Sequence, residues 1–287
     1  MNLNDTFHCI STIILTNAPS VSSQGSGFYY QRLAPKEKEE PQWRKIEGQW
    51  LVTNRHVLIP RNGDSEHLPS SVTFHLRKFD ANGALQWDAV TLTTDDVERL
   101  ARFHPNKSID VAALDIHMLI TDRLKSGEKY ANCYAVSCEN FAGQNNIHVE
   151  ASSDVLVVGY PRGFYDDVNL YPVIKSGIIA SRWGANFQGE RYFLIDAKLF
   201  PGSSGSIVIS KPIDMIVKDG QIMHAPEKQF AFLGVFSGEP LRHERPVELD
   251  DMIIVQKSSF NVGIVWYAEL VDEILDSGVT LTAAMTA

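Results

Sequence analysis

The sequence predicts an all-β protein, built as a sandwich or as barrels, with a helix near its C-terminus. Two observations carry this. Short runs rich in Val, Ile, Phe and Tyr recur along the chain, separated by turn residues, which is the pattern of many short strands. Long stretches of helical periodicity are scarce: two segments read as helices. With 287 residues, 44% hydrophobic and 21% charged, the chain has the composition of a soluble globular protein. It is long enough for one large domain or two modest ones.

Taken in order, "GSGFYYQRL" and "GQWLVTNRHVL" read as strands on either side of "APKEKEEPQWRKIE", a charged and solvated hairpin loop. "SVTFHLRKF" and "AVTLTT" alternate apolar and polar positions, as half-buried strands do. "DDVERLARF", residues 95–103, reads as a helix with Val97, Leu100 and Ala101 on one side. The strand series resumes with "DVAALDIHML", "DVLVVGYP", "YPVIKSGIIAS", "RYFLIDAKL", "GSIVIS", "FAFLGVFSG" and "NVGIVWYA". "SKPIDMIVKDGQIMHAPEKQ" and "EPLRHERPVELDDM" are long loops, readable as exosites, lids or partner surfaces, or as solvated loops. "YAELVDEILDSG" places Leu270, Val271, Ile274 and Leu275 on one stripe, with Gly278 as its stop. The last residues, "VTLTAAMTA", read as a frayed tail.

Charge and cysteine usage exclude several classes. A formal net charge of −9 argues against nucleic acid or an anionic membrane as partner, since both select for excess Lys and Arg. Three cysteines, Cys9, Cys133 and Cys138, form no CxxC. They imply neither a disulfide framework nor a zinc site, and suit a reducing compartment. The paired aspartates at 95–96, 166–167 and 250–251 read as solvated surface. No Lys or Arg occurs in the first twenty residues, and the apolar run there is broken by polar side chains, a poor signal peptide. No segment reaches the apolar length that crosses a bilayer. The expected setting is therefore cytoplasmic.

The chemistry lies in "LFPGSSGSIV", residues 199–208. Acyl transfer by serine needs a base within reach of the hydroxyl, a carboxylate to orient that base, and donors aimed at the developing oxyanion. Of the three serines here, Ser204 alone has a glycine two before it, Gly202, and one after it, Gly205. The N–H groups of Gly202 and Ser204 could then face one oxygen. Among nine histidines, His56 stands where a buried strand ends and a turn begins. Asp110 introduces an apolar run and fits the carboxylate; Asp115, within that run, is the rival.

"GSGFYY", "WLVTNRHV", "DVAALDI" and "DAKLFPGSSG", in that order, resemble the signature segments of chymotrypsin-fold serine peptidases. The closest likeness is to the bacterial trypsin-like, Deg/HtrA-type protease domain. "VLVVGYPRG", "VIKSGIIASR" and "FLGVFSG" are similar to further strands of its second barrel. The resemblance covers about residues 24–277. It implies two antiparallel β-barrels, residues 1–130 carrying His56 and Asp110 and residues 131–287 carrying Ser204 and ending in a helix. It implies Ser204 as nucleophile, His56 as general base and then acid, Asp110 as the residue that orients His56, and Gly202 and Ser204 N–H as the oxyanion hole. No metal or organic cofactor is required.

The departures from that pattern matter too. Ser203 stands where digestive-type relatives carry an aspartate, so no zymogen activation is expected by that route. A Deg/HtrA peptide-binding PDZ module has no room in this chain. Lys198, Leu199, Ser237, Gly238 and Glu239 are the candidates for the substrate pocket. An inward Lys198 would favour an acidic substrate residue; an outward one leaves a small apolar pocket. The expected partners are a protein or peptide substrate and a regulatory protein. The competing reading is a catalytically silent module of the same fold that binds a peptide or protein.

Overall fold

The computed structural model describes residues 3–35, 44–82, 85–127, 135–144, 146–162, 164–218, 220–240, 242–243, 247–249, 252–254, 257–258 and 261–286. In the first half, helix α1 (Leu3–Ile10) leads into strands β1 (Ser11–Ala18), β2 (Val21–Leu33) and β3 (Ile46–Thr53). After the short helix α2 (Arg55–Leu58) and the hairpin β4 (Arg61–Asn62) and β5 (Ser65–Glu66) come β6 (Ser71–Phe79) and β7 (Leu85–Thr93). Helix α3 (Thr94–Leu100), β8 (Ala101–Phe103), β9 (Ala112–Asp115) and helix α4 (His117–Lys125) complete it. The sheet order is β7-β6-β1-β2-β3-β9-β8, antiparallel throughout. Its edge strands β7 and β8 are neighbours in the chain, and α3 spans the gap between them.

Alternation explains these strands. In β6, Val72, Phe74 and Leu76 are buried while Thr73 and His75 between them are half-buried. Burying each such apolar side chain stabilises by about 1.5–3 kcal/mol. They pack with Ile14, Leu51, Val90, Leu92, Phe103 and Leu114 into one core.

The second half contains β10 (Asp154–Gly159), β11 (Val173–Ile179), β12 (Tyr192–Asp196) and β13 (Ile207–Ser210). A hairpin, β14 (Ile213–Lys218) and β15 (Gln221–Gln229), precedes β16 (Phe232–Gly238). Short strands β17 (Arg242–His243), β18 (Val247–Leu249), β19 (Met252–Ile254) and β20 (Lys257–Ser258) lead to β21 (Val262–Tyr267). The chain ends in helices α5 (Glu269–Ser277) and α6 (Leu281–Thr286). Strands β10-β11-β12-β21-β16-β13 close into a barrel around Val157, Phe193, Ile195, Val208, Leu233 and Val265. A third core lies between sheet and barrel, where Phe28, Tyr30 and Val52 meet Ile207, Phe232 and Val235 beneath Leu270 and Ile274 of α5.

The fold class is therefore all-β, a seven-stranded sheet and a closed six-stranded barrel, with C-terminal helices. Several details differ from the sequence expectation. The helix foreseen over 95–103 stops at Leu100, because Ala101 and Phe103 pair with Leu114 and Ala112 of β9. The expected frayed tail is helix α6, with Leu281 and Ala284 buried in the first core. The expected loop over 210–229 is the β14–β15 hairpin. The 130/131 boundary and Cys133 lie outside the described residues, as do Asp250 and Asp251. Among the described residues, no helix is long and apolar enough to cross a membrane.

Candidate active site

His56 sits in α2, a single turn that starts where β3 ends. Asn54, just before it, extends its side-chain amide to the Asp110 carbonyl (2.6 Å), tying the turn to the start of the 110–115 run. Asp110 then receives both the His56 backbone N–H, at Oδ1 (3.0 Å), and His56 Nδ1, at Oδ2 (2.6 Å). Ser237 at the end of β16 donates its hydroxyl to the same Oδ2 (2.6 Å). Three donors on one carboxylate, two of them from His56, favour its ionised form. Burial alone would raise the Asp110 pKa, but His56 and the hydrogen bonds outweigh it and hold the carboxyl below the usual range. For His56, burial opposes the imidazolium and Arg61 opposes it further. The Asp110 charge and hydrogen bond outweigh both, so its pKa stands above the ordinary value.

Asp115 is not at this site. It pairs with Trp50 across β3 and β9, and its carboxylate accepts the His117 N–H that starts α4.

Ser204 lies on the loop from Phe200 to Ser206, between β12 and β13. Its hydroxyl donates to the Ser237 carbonyl (2.7 Å). Among the described residues it makes no hydrogen bond to His56, so Ser237 touches both the carboxylate and the serine. Gly202 and Gly205 have φ of +90° and +82°, a backbone that side chains rarely tolerate. Nor is there room for one. A Cβ at Gly202 would stand 2.4 Å from the Arg162 nitrogen, and one at Gly205 would stand 2.0 Å from the Ser26 carbonyl oxygen.

The loop's N–H groups divide into two sets. Ser203 N–H donates to the Phe200 carbonyl, Gly205 N–H to Phe236, and Ser206 N–H to Ser203. Those of Gly202 and Ser204 have no acceptor among the described residues. The Pro201 carbonyl accepts from Arg162 N–H (2.7 Å). Because the peptide is trans, the Gly202 N–H points the opposite way. Among the described residues both N–H groups are thus uncommitted, as donors to a developing oxyanion have to be.

Ser26 of β2, fully buried, staples this loop to both halves. Its N–H donates to the Ser204 carbonyl (2.7 Å) and its hydroxyl to the Gly202 carbonyl (2.9 Å). The same hydroxyl accepts from Tyr160 N–H (2.8 Å), and its own carbonyl accepts from the Thr53 hydroxyl (2.7 Å).

A pocket of about 270 Å³ adjoins Ser204, lined by Leu199, Phe200, Pro201, Phe236, Gly238 and Glu239. Of the residues expected there, Leu199, Gly238 and Glu239 line it. Lys198 does not: it is exposed, which matches its outward reading. Ser237 lines instead a second cleft, with His56, Asp110 and Arg61. Sequence reasoning missed Ser26 and Ser237 as supports of the site, although "GSGFYY" and "FSG" had been singled out. It also missed Phe200, Pro201 and Phe236 as pocket walls. Among the described residues no His, Cys, Asp and Glu cluster could hold a metal.

A family model for a trypsin-like peptidase domain matches residues 25–217. No curated protein matches the chain. Among solved structures, the HtrA-type protease AlgW with a tripeptide is 15% identical with a TM-score of 0.46, over 96% of this chain and 62% of that one. The serine endoprotease from Yersinia pestis is 14% identical with a TM-score of 0.45, over 96% and 66%. Tobacco etch virus protease with product is 7% identical with a TM-score of 0.47, over 97% and 83%. The chain therefore spans less than two thirds of the length of AlgW.

Proposed function

The chain belongs to the trypsin-like peptidase domain family, and from that premise we propose that it is a serine endopeptidase working through an acyl-enzyme on Ser204. One observation carries the reading: an Asp110–His56 pair at 2.6 Å shares Ser237 with a serine whose loop presents two free N–H groups.

Asp110 accepts a hydrogen bond from His56 Nδ1–H, which keeps the proton on Nδ1 and leaves the Nε2 lone pair free to act as base. Rotation about the Ser204 Cα–Cβ bond carries the hydroxyl from the Ser237 carbonyl to Nε2. His56 takes the proton as Oγ attacks the substrate carbonyl, and negative charge develops on the carbonyl oxygen. The Gly202 and Ser204 N–H groups stabilise that charge. On collapse, the C–N bond breaks and His56 returns the proton to the leaving amine. Water then repeats the sequence and releases the acid.

The walls supplied by Leu199, Phe200, Pro201 and Phe236 favour an apolar residue before the scissile bond. An acidic residue there would meet Glu239 with no basic group among the lining residues, and a basic one would have to be desolvated against these four apolar walls. The silent-module reading is weaker, because His56, Asp110 and Ser204 are all present and His56 and Asp110 are paired. The test is hydrolysis of quenched-fluorescence peptides carrying Val, Leu, Phe, Lys or Glu before the scissile bond. The expected result is cleavage of the apolar set by the wild type and none by Ser204→Ala. Cleavage that survives Ser204→Ala, or a preference for Lys or Glu, contradicts the reading.

A further inference from the structure

We propose that Arg61 selects substrates with an acidic side chain on the leaving-group side of the scissile bond, an inference that rests on Ser204 being the nucleophile. The apolar pocket adjoins Ser204, so it takes the acyl side. Across His56, which hands its proton to the leaving amine, lies the second cleft, about 390 Å³, bounded by Ser22, Ser23, Pro60 and Arg61. Strand β2 connects the two: Ser26 is bonded to the Ser204 carbonyl, and Ser22 and Ser23 lie a few residues earlier on the same strand.

The charge balance around Arg61 is uneven. The Glu66 carboxylate is shared by two guanidinium groups. Arg55 Nε and Nη2 reach its two oxygens at 3.2 and 2.8 Å, and Arg61 Nη2 reaches Oε1 at 2.8 Å. One negative charge against two positive ones leaves an excess. Arg55 is only 1% exposed, and its Nη2 also donates to the Ala284 carbonyl. The Arg61 side chain is 47% exposed, so the excess surfaces there. Arg61 makes no other side-chain hydrogen bond among the described residues, which leaves guanidinium donors for a ligand.

Among the described residues no carboxylate other than Glu66 pairs with the Arg61 guanidinium. Asp110 lines the cleft and is anionic, but its oxygens face His56 and Ser237 and make no contact with Arg61. Asp64 and Lys107, one charge of each sign, line a different pocket that Arg61 also borders, together with Met285. A carboxylate entering beside Arg61 can form the planar paired contact that guanidinium favours. The contact is half-exposed, so its effect is moderate and salt-sensitive.

The experiment uses two readouts on the full chain and on Arg61→Gln, Arg61→Lys and Arg61→Glu. The first is cleavage of peptides with Glu, Gln or Lys at the first two positions after an apolar residue, together with a mixed peptide library. The second is covalent labelling of Ser204 by a fluorophosphonate, which needs no substrate recognition. The wild type should prefer Glu over Gln by about threefold to tenfold in kcat/KM, with the preference fading at high salt. Arg61→Gln should lose the preference, Arg61→Lys retain part of it, and Arg61→Glu turn it toward Lys. A labelled wild type with no acidic preference, with a preference unchanged in Arg61→Gln, or with no peptide cleaved overturns the role of Arg61. Absence of labelling in the wild type counts instead against the reading of Ser204 on which it rests.

Discussion

At the scale of single residues, the site depends on Asp110 and on two glycines. Asp110 fixes the tautomer of His56 and raises its pKa above the ordinary value of about 6.5. The base must be neutral to work, so kcat/KM should fall as the pH drops through the His56 pKa. Asp110→Asn should lower kcat by about 10⁴-fold, from the wrong tautomer, and shift the remaining acid limb to lower pH. A pH profile of peptide hydrolysis in the two proteins checks both, and a limb that stays in place contradicts the assignment. Gly202→Ala would put its Cβ against the Arg162 nitrogen, whose N–H holds the Pro201 carbonyl and so aims the Gly202 N–H. It should cost about 10²–10³ in kcat with little change in KM, the usual effect of losing one oxyanion donor. These residues were legible in the sequence because their chemistry is local: glycine offsets around Ser204, and a histidine at a strand end. Ser237 was legible only as a pocket candidate. Its contact with Asp110 joins residues far apart in the chain, which no local pattern reveals.

At the scale of elements, α3 and α6 show where local reading ends. Thr93 and Asp96 form a capping box that starts α3, as a helix there requires. Its C-terminal end was not legible, because the partners that draw Ala101 and Phe103 into a strand lie on β9. Helix α6 was missed because "LTAAMT" is short and weakly patterned; tertiary contacts make it. Val279 and Phe103 exchange backbone hydrogen bonds at 2.9 Å. Glu98 of α3 accepts from the Thr282 N–H (2.7 Å) and hydroxyl (3.0 Å), capping the start of α6. Its desolvation is outweighed by hydrogen bonds from Thr280 and Thr282, so the folded pKa is depressed. That contribution is present above the unfolded pKa of about 4.3 and is lost as pH falls through the folded value. Glu98→Ala should loosen α6 by about 0.5–1 kcal/mol. Faster amide hydrogen exchange confined to residues 281–286 is the expected observation at neutral pH, and exchange equal to wild type contradicts the capping role.

At the scale of the whole molecule, the site exists only where sheet and barrel meet. His56 and Asp110 come from the sheet, and Ser204 and Ser237 from the barrel. Ser26 crosses the junction with bonds to Gly202, Ser204 and Tyr160. Ser26→Ala would leave the buried Gly202 carbonyl and Tyr160 N–H short of a partner, at a cost of about 1–3 kcal/mol. Thermal unfolding should shift down accordingly, and kcat should fall although Ser26 touches neither substrate nor base. An unchanged midpoint would show that the staple carries no energy. The all-β class was legible from repeated short apolar runs. The shared core of Phe28, Phe232 and α5 was not, since those positions read only as apolar until the halves are docked. The most direct test of the central claim is intact-mass measurement after treatment with a fluorophosphonate. A single adduct is expected on the wild type, mapped to Ser204 and absent from Ser204→Ala. An adduct that persists in Ser204→Ala, or a wild type that takes none, would contradict it.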